Sequence, residues 1–232
     1  VGIADMSDKQ LEMAKENHPN VILTKDFKEL YDKSDAFIIV TTTSSHFPIL
    51  KEVVAAGKHV FCEKPLCQTY KQAMEILELS KKNNQVYMTG HSERCHEIWG
   101  HDSFTLDGAL EFHFKRVTPF KGRASDVDVL QDLTIHDIDL ATYLLKEDIQ
   151  SVSVERLDKS VTDYYDTLIA TAEFQSGRKV KFTTDRNHEH EERSLEIRGT
   201  HHIYVDLMNS KMTIDDKEVS YQKRDHLLIE HQ

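Results

Sequence analysis

The sequence predicts a doubly wound parallel α/β half followed by an α+β half built on a large, mainly antiparallel, open-faced sheet. Three observations carry this. Through about residue 90, short apolar runs alternate with helical periodicity, the pattern of successive βαβ units. Beyond about residue 108, strand patterns dominate, several of them joined by turn signals. One helix-like segment, 128–145, interrupts those strands and carries a stripe of ionisable side chains.

In chain order, residues 1–5 read as a strand and 8–17 as a helix. A brief strand at 21–23 precedes a helix at 26–32, with Phe27, Leu30 and Tyr31 on one side. Residues 36–40 have the continuous apolar character of a fully buried parallel strand. The helix that follows runs through Ile49, Leu50, Val53 and Val54, and Gly57 is placed to end it in a left-handed conformation. A strand at 59–62 leads to a helix whose Tyr70, Ala73, Met74 and Leu77 recur at i, i+3, i+4 and i+7, and 86–89 closes the series. In the second half, strands are expected at 109–117, 150–156, 165–174, 178–184, 194–198, 202–207, 211–214 and 218–221, with turns at Ser176-Gly177 and Asp215-Asp216.

With 232 residues the chain is long enough for one large or two small domains. The formal net charge of -11 argues against a nucleic-acid-binding face and against attraction to anionic membranes. No apolar run approaches the ~20 residues that span a bilayer, and the N-terminus does not read as a signal peptide. Three cysteines, Cys62, Cys67 and Cys95, suit a reducing compartment better than a disulfide framework, so a cytoplasmic protein is expected.

Within the 128–145 segment, Asp132, His136 and Asp139 stand at i, i+4 and i+7. On a helix they form one polar stripe, with Leu130, Leu133, Ile138, Ala141, Leu144 and Leu145 supplying apolar cover elsewhere. An acid beside an imidazole can orient its tautomer and pass a proton, and Asp137 adds a third carboxylate to the neighbourhood. A solvated helix stripe would look the same. At the end of the 59–62 strand, Glu63-Lys64-Pro65 puts an ammonium at the carboxyl edge of a parallel sheet, where Pro65 restricts Lys64 to an extended conformation. An exposed Lys-Glu pair beside a turn is the plainer alternative.

Asp5 ends the first strand, at the place where dinucleotide folds bind the adenosine ribose hydroxyls; it could equally cap the helix that begins near Ser7. Thr41-Thr42-Thr43-Ser44-Ser45-His46 opens a helix at the same sheet edge, where Ser44 or Ser45 would serve as an ordinary N-cap. No G-x-G-x-x-G occurs, so a phosphate-binding turn of that type would lie upstream of Val1, and the chain reads as entering its first domain after the glycine turn. Among the 14 histidines, His188-Glu189-His190 and His201-His202 are the nearest clusters. On a strand His188 and His190 would share a face and could chelate, but HEHEER is equally a solvated edge, and no metal is expected. Cys62 and Cys67 read as buried thiols.

AGKHVFCEKPL at 56–66, GHSER at 90–94 and D-x-x-x-H-D-I-D at 132–139, in this order behind a strand ending in Asp5, resemble the Gfo/Idh/MocA oxidoreductases, the family of glucose-fructose oxidoreductase and inositol dehydrogenase. Within it KRVTPF, ASDVDVLQDLTIHDID and YVDLMNSKMTI resemble the branch of UDP-N-acetylglucosamine 3-dehydrogenases. The resemblance implies a dinucleotide-binding Rossmann domain over 1–91, lacking its first strand and glycine turn, and a substrate-binding α+β domain over 92–232, lacking a C-terminal helix. It implies an NAD(P)-dependent dehydrogenase acting on a secondary hydroxyl of a sugar, nucleotide sugar or polyol. Lys64, Asp132 and His136 would be catalytic. Asp5, Thr43, His46, Glu63, Lys64 and Arg94 would meet the cofactor. An acid at position 5 with no Arg beside it favours NAD over NADP. The resemblance further implies a homodimer or homotetramer formed through the open sheet face, and often a cis Lys64-Pro65 bond. Thr42, Cys95-His96-Glu97 and Asp185-Arg186-Asn187 depart from the family's usual residues. A non-catalytic homologue that binds dinucleotide or sugar to regulate a partner is the other class to weigh.

Overall fold

The computed structural model describes residues 1–82 and 84–220, which fall into two compact units, Val1–Thr89 and a second that begins at Gly90. Position 221, the end of the last expected strand, lies outside the described residues.

The first unit begins with strand β1 (Gly2–Ala4), helix α1 (Asp8–Asn17) and strand β2 (Ile22–Thr24), the two strands pairing in parallel. A Cβ at Gly2 would crowd the terminal methyls of the buried Leu30 side chain, which would have to shift to admit it. Ser7 is the N-cap of α1, its hydroxyl accepting from the Gln10 amide at 3.4 Å. Asp5 therefore does not cap the helix. It stands two residues earlier and accepts from the Ser7 amide at 2.8 Å.

Phe27–Lys33 forms a 3-10 helix where an α-helix was expected. Asp26 accepts from the Lys28 amide and Thr24 donates to Glu29, and over only seven residues these local ties favour the tighter i→i+3 pattern. Strands β3 (Ala36–Ile39), β4 (His59–Glu63) and β5 (Tyr87–Gly90) make a three-stranded sheet in that order, β3 and β4 being parallel. Helix α2 (Thr43–Ala55) connects β3 to β4, and Gly57, at φ +70°, closes it as the composition anticipates. Helix α3 (Tyr70–Ser80) connects β4 to β5.

The core of this unit gathers Ile39, Leu50, Val53, Val54, Val60, Cys62, Cys67 and Ile76. Two expectations fail here. β3 is not buried on both faces: strand alternation turns Ile39 onto the helices, whereas Ile38 remains 65% exposed on the opposite face. On α3, the inward row is Ala73, Ile76 and Leu79, while Tyr70 and Leu77 face solvent. The sequence offers two overlapping apolar rows there, and the one with the branched Ile76 at its centre packs inward.

The second unit contains strand β6 (Glu111–Val117), helix α4 (Ile135–Leu145) and strands β7 (Ile149–Asp158), β8 (Thr167–Phe174), β9 (Lys179–Asp185), β10 (Glu192–Arg198), β11 (His202–Asp206), β12 (Lys211–Ile214) and β13 (Lys217–Val219). They form one eight-stranded sheet in the order β13-β12-β11-β10-β6-β9-β8-β7. β6 and β9 are parallel, and the other neighbours are antiparallel. Gly177 at φ +85° and Asp215 and Asp216 at φ 48° and 63° make turns where the sequence signals them.

One sheet face is apolar: Phe112, Phe114, Ala172, Phe174, Val180, Phe182, Leu195, Ile197, Ile203, Val205 and Met212 pack with Leu140, Ala141 and Leu145 of α4. The Phe114 and Phe182 rings stack at 5.8 Å. The other face is open and charged, with Lys115 paired to Glu192 at 2.6 Å and Lys181 to Glu155 at 3.1 Å. The segment ahead of α4 departs from the expected continuous helix, because Leu130–Thr134 is π-helical. Leu130 is 44% exposed there and supplies no apolar cover, whereas Leu133 joins Val129, Leu168 and Ala170 in a small separate cluster. Among the described residues no helix is long and apolar enough to cross a membrane.

Candidate active site

At the carboxyl end of β3, Thr42 is the N-cap of α2 and Thr43 its first residue, so neither Ser44 nor Ser45 caps it. The Thr42 side chain accepts no cap hydrogen bond and instead lies 3.2 Å from the Ser45 hydroxyl. His46 is buried, 1% exposed, with Nδ1 at 2.8 Å from the Pro65 carbonyl oxygen and Nε2 at 3.0 Å from that of Thr41. The imidazole thus ties the loop after β3 to the turn after β4. That turn contains the cis Lys64-Pro65 peptide. Glu63 accepts from the Lys64 amide at 3.2 Å, and Lys64 is half-buried. Burial pushes the Cys62 thiol up to about 12 and the Cys67 thiol up to about 11, so the two cysteines flanking Lys64 are protonated packing groups.

In the second unit Asp132 lies in the π-helical turn and is 7% exposed, and His136, half-buried, follows it in the first turn of α4. A π turn advances less per residue than an α turn, yet four residues still return to nearly the same face, so the acid and the imidazole remain neighbours along the helix. The turn is braced from outside. The Asp132 amide donates to the Asp128 carbonyl at 3.1 Å, the Asp128 carboxylate accepts from the Tyr165 amide at 2.8 Å, and Thr134 donates to the Thr184 hydroxyl at 3.0 Å.

Asp137 and Asp139 do not join the His136 stripe as free acids. Arg116, 3% exposed, donates from Nε and Nη2 to the Asp137 carboxylate at 2.7–3.1 Å and from Nη2 to Glu93 at 3.1 Å. Arg94 grips Asp139 with both Nε and Nη2 and lies 5.5 Å over the Tyr143 ring, and His91 Nδ1 is 3.6 Å from the same carboxylate. The 91–95 turn is in this way fastened to α4 at two points. A second buried pair, Asp166 and Arg186, shapes the loops beside the π turn: Asp166 accepts from the amides of Ser160, Val161 and Thr162, and Arg186 reaches the Ala124 and Tyr165 carbonyls.

Glu93, Arg116, Asp166 and Arg186 escape a reading by residue type, but parity would have found the two arginines. Arg116 continues the inward series Phe112, Phe114, and Arg186 continues Phe182, Thr184. His188 and His190 are not on a strand; they precede β10 with rings in edge contact at 4.4 Å.

Two family models match the chain: one described as an oxidoreductase family, NAD-binding Rossmann fold, over residues 1–91, and one described as the GFO/IDH/MocA C-terminal domain, over residues 109–205. The UDP-N-acetylglucosamine 3-dehydrogenase of Acidithiobacillus ferrooxidans is 29% identical over 215 residues, 84% of this chain and 67% of the relative. The myo-inositol 2-dehydrogenase of Thermotoga maritima is 27% identical over 191 residues, 75% of this chain and 57% of the relative. The chain therefore spans 57–67% of the length of these curated relatives. A solved structure of the Acidithiobacillus enzyme superposes with a TM-score of 0.88 at 26% identity, covering 98% of this chain and 77% of that one. A levoglucosan dehydrogenase complex with NADH and L-sorbose shares the fold, at TM-score 0.79 and 19% identity. The two matched models, the order of the motifs and the paired architectures place this chain in the GFO/IDH/MocA oxidoreductase family.

Proposed function

We propose that the protein is an NAD-dependent dehydrogenase that oxidises a secondary hydroxyl of a nucleotide sugar, sugar or polyol. The observation that carries this is the pairing of buried Asp132 with half-buried His136 one helical turn later, on a helix fastened by ions, in a chain whose first unit presents Lys64 at the end of β4. The residues of that first unit fit a nicotinamide dinucleotide. Asp5 follows β1 with a carboxylate available to ribose hydroxyls, and the first amides of α2 have no side-chain cap. Asp5, Thr43, His46, Glu63 and Lys64 would hold it, His46 by fixing the two loops it bridges.

When bound, the nicotinamide supplies a hydride acceptor for the carbinol carbon. His136 takes the hydroxyl proton as general base. Asp132 and Lys64 hold that hydroxyl and stabilise negative charge as it develops on the oxygen. Arg94 serves this arrangement through Asp139, keeping the 91–95 turn against α4. A carboxylate at position 5 opposes a ribose 2′-phosphate, which selects NAD over NADP. Relatives acting on UDP-N-acetylglucosamine and inositol set the substrates to try first. The open, charge-balanced sheet face supports a homodimer or homotetramer, which sedimentation of the purified protein tests. The buried thiols of Cys62 and Cys67 support a reducing, cytoplasmic location.

The function is tested by incubating the full-length protein with NAD and a panel of UDP-sugars and inositols while following NADH absorbance. His136→Ala and Lys64→Ala should each lower turnover on the order of 100-fold or more. Rates near wild type in either variant would overturn the assignment.

A further inference from the structure

The mechanism above uses Asp132 and His136 but leaves a trio of fully buried charges beside them without a role. Arg116 on β6, Asp137 in the first turn of α4 and Glu93 in the 91–95 turn are all 7% exposed or less. Burying ions is expensive, and well-packed apolar side chains in their place are often as stable or more so. What an arginine fork supplies that apolar packing does not is direction: two parallel N–H donors fix a carboxylate in both distance and angle.

The geometry points to Arg116 as a positioning residue for the proposed reaction. By holding Asp137 and Glu93 at once, it locks the first turn of α4 to the 91–95 turn and so fixes the orientation of His136. The two halves of the lock reach different elements: Nε and Nη2 engage Asp137, the residue next to His136, while Nη2 also engages Glu93. The 91–95 turn is itself held from its far side, where Trp99 Nε1 donates to the Glu93 carbonyl at 2.7 Å. The Arg94–Asp139 pair repeats the fastening two residues further along α4. Between them these contacts restrain both rotation and sliding of the segment that carries the imidazole. The charged groups around it are Asp132, Asp137 and Asp139 on the helical segment, His91, Glu93 and Arg94 from the turn, and Arg116 and Arg193 from β6 and β10.

This inference rests on the proposed dehydrogenase reading, and two variants of the full-length protein separate the two. In Arg116→Lys the point charge stays but the fork is lost. In Asp137→Asn one acceptor of the fork is lost, while Arg116 and Glu93 remain a balanced pair. Both should melt cooperatively. In each, kcat should fall by about 10- to 100-fold, the size of effect expected from misplacing a catalytic group, with KM for NAD within about twofold. The NMR titration of the His136 imidazole, assigned by its loss in His136→Gln, should shift from the wild-type curve in both. If Arg116→Lys does not fold, Asp137→Asn decides. If the wild type turns over no substrate, the dehydrogenase reading fails, and the His136 titration alone decides the positioning role. A folded Asp137→Asn protein with a wild-type kcat and an unmoved His136 titration, or with an unmoved titration where no turnover exists, overturns the proposal.

Discussion

In the first unit, the polar side chains at the sheet's carboxyl ends are held by main chain. His46 sits between the Thr41 and Pro65 carbonyls, Asp5 accepts from the Ser7 amide, and Glu63 accepts from the Lys64 amide. In the second, Asp137 and Asp139 are held by the guanidinium groups of buried Arg116 and of Arg94, and Asp166 by buried Arg186 together with three amides. The contrast separates two tasks. Loops shaped by backbone place carboxylate, hydroxyl and ammonium groups near a sheet edge, where the proposed cofactor would meet them. Ion pairs hold α4 to the precision that the proposed proton transfer needs, because displacement of a catalytic group by about 1 Å can cost about 100-fold in rate.

The comparison breaks first, if it breaks, on stability. Arg186→Met leaves Asp166 without its cation in a site with no exposed surface, and removing one partner of a buried pair costs about 3–5 kcal/mol. Asp5→Ala removes one half-exposed hydrogen bond, worth about 1 kcal/mol. Urea unfolding of both variants measures the gap. Equal losses would mean that the buried pair is no more than surface chemistry in a sheltered place.

The next test is pH. Burial alone would push the Asp166 carboxyl up, but the Ser160 and Val161 amides, Arg186 and Thr162 hold it well below the usual aspartate range. Its folded value is lowered, so its contribution is fully present above the ordinary value of about 3.9 and is lost as pH falls through the lowered one. Asp137 has the opposite sign. Burial raises its carboxyl, and Arg116, shared with Glu93, offsets this only in part. Its contribution is present below about 3.9 and is lost as pH rises through the raised value. Asp166→Asn should therefore flatten the acid side of the stability curve, and Asp137→Asn should flatten its descent on the way up from about pH 4. Urea midpoints across that range that shift in the same sense for both would contradict the assignment of the two signs.

What could be read from sequence divides along the same line. Strand alternation and turn residues located all eight strands of the second unit's sheet to within about two residues, because a half-buried strand writes its period directly into the chain. The Asp132 and His136 pair was legible for a similar reason: a four-residue spacing survives both α and π geometry. The π turn was not, since Leu130 suits either helix and the groups that brace the turn, Tyr165 and Thr184, lie far from it in sequence. Nor was the lock on α4. The partners in Arg116–Glu93 and Arg186–Asp166 lie 20 or more positions apart, so inward parity marks the two arginines as buried without naming the carboxylates they hold. In the first unit, β3 misled for a different reason. Apolar composition marks what a strand can bury, whereas Ile38 is exposed because little in the described residues covers that face.

The smallest effect sharpens the comparison from the other side. α3 begins with a capping box: the Thr69 hydroxyl accepts from the Gln72 amide and the Gln72 side chain accepts from the Thr69 amide, each at 3.2 Å. This is again main chain satisfied locally, and Thr69→Ala should cost about 1 kcal/mol. Because the bonds involve only the first turn, the loss should appear as fraying there. Hydrogen exchange at the first amides of α3 should quicken by about fivefold, which is what 1 kcal/mol amounts to in an opening equilibrium. Ile76, one turn further on, stays packed in the core, so the amides beyond it should exchange as before. Exchange that quickens equally along the whole helix would show that the cap holds the entire element. The first unit would then depend on single contacts as heavily as the second depends on its buried arginines.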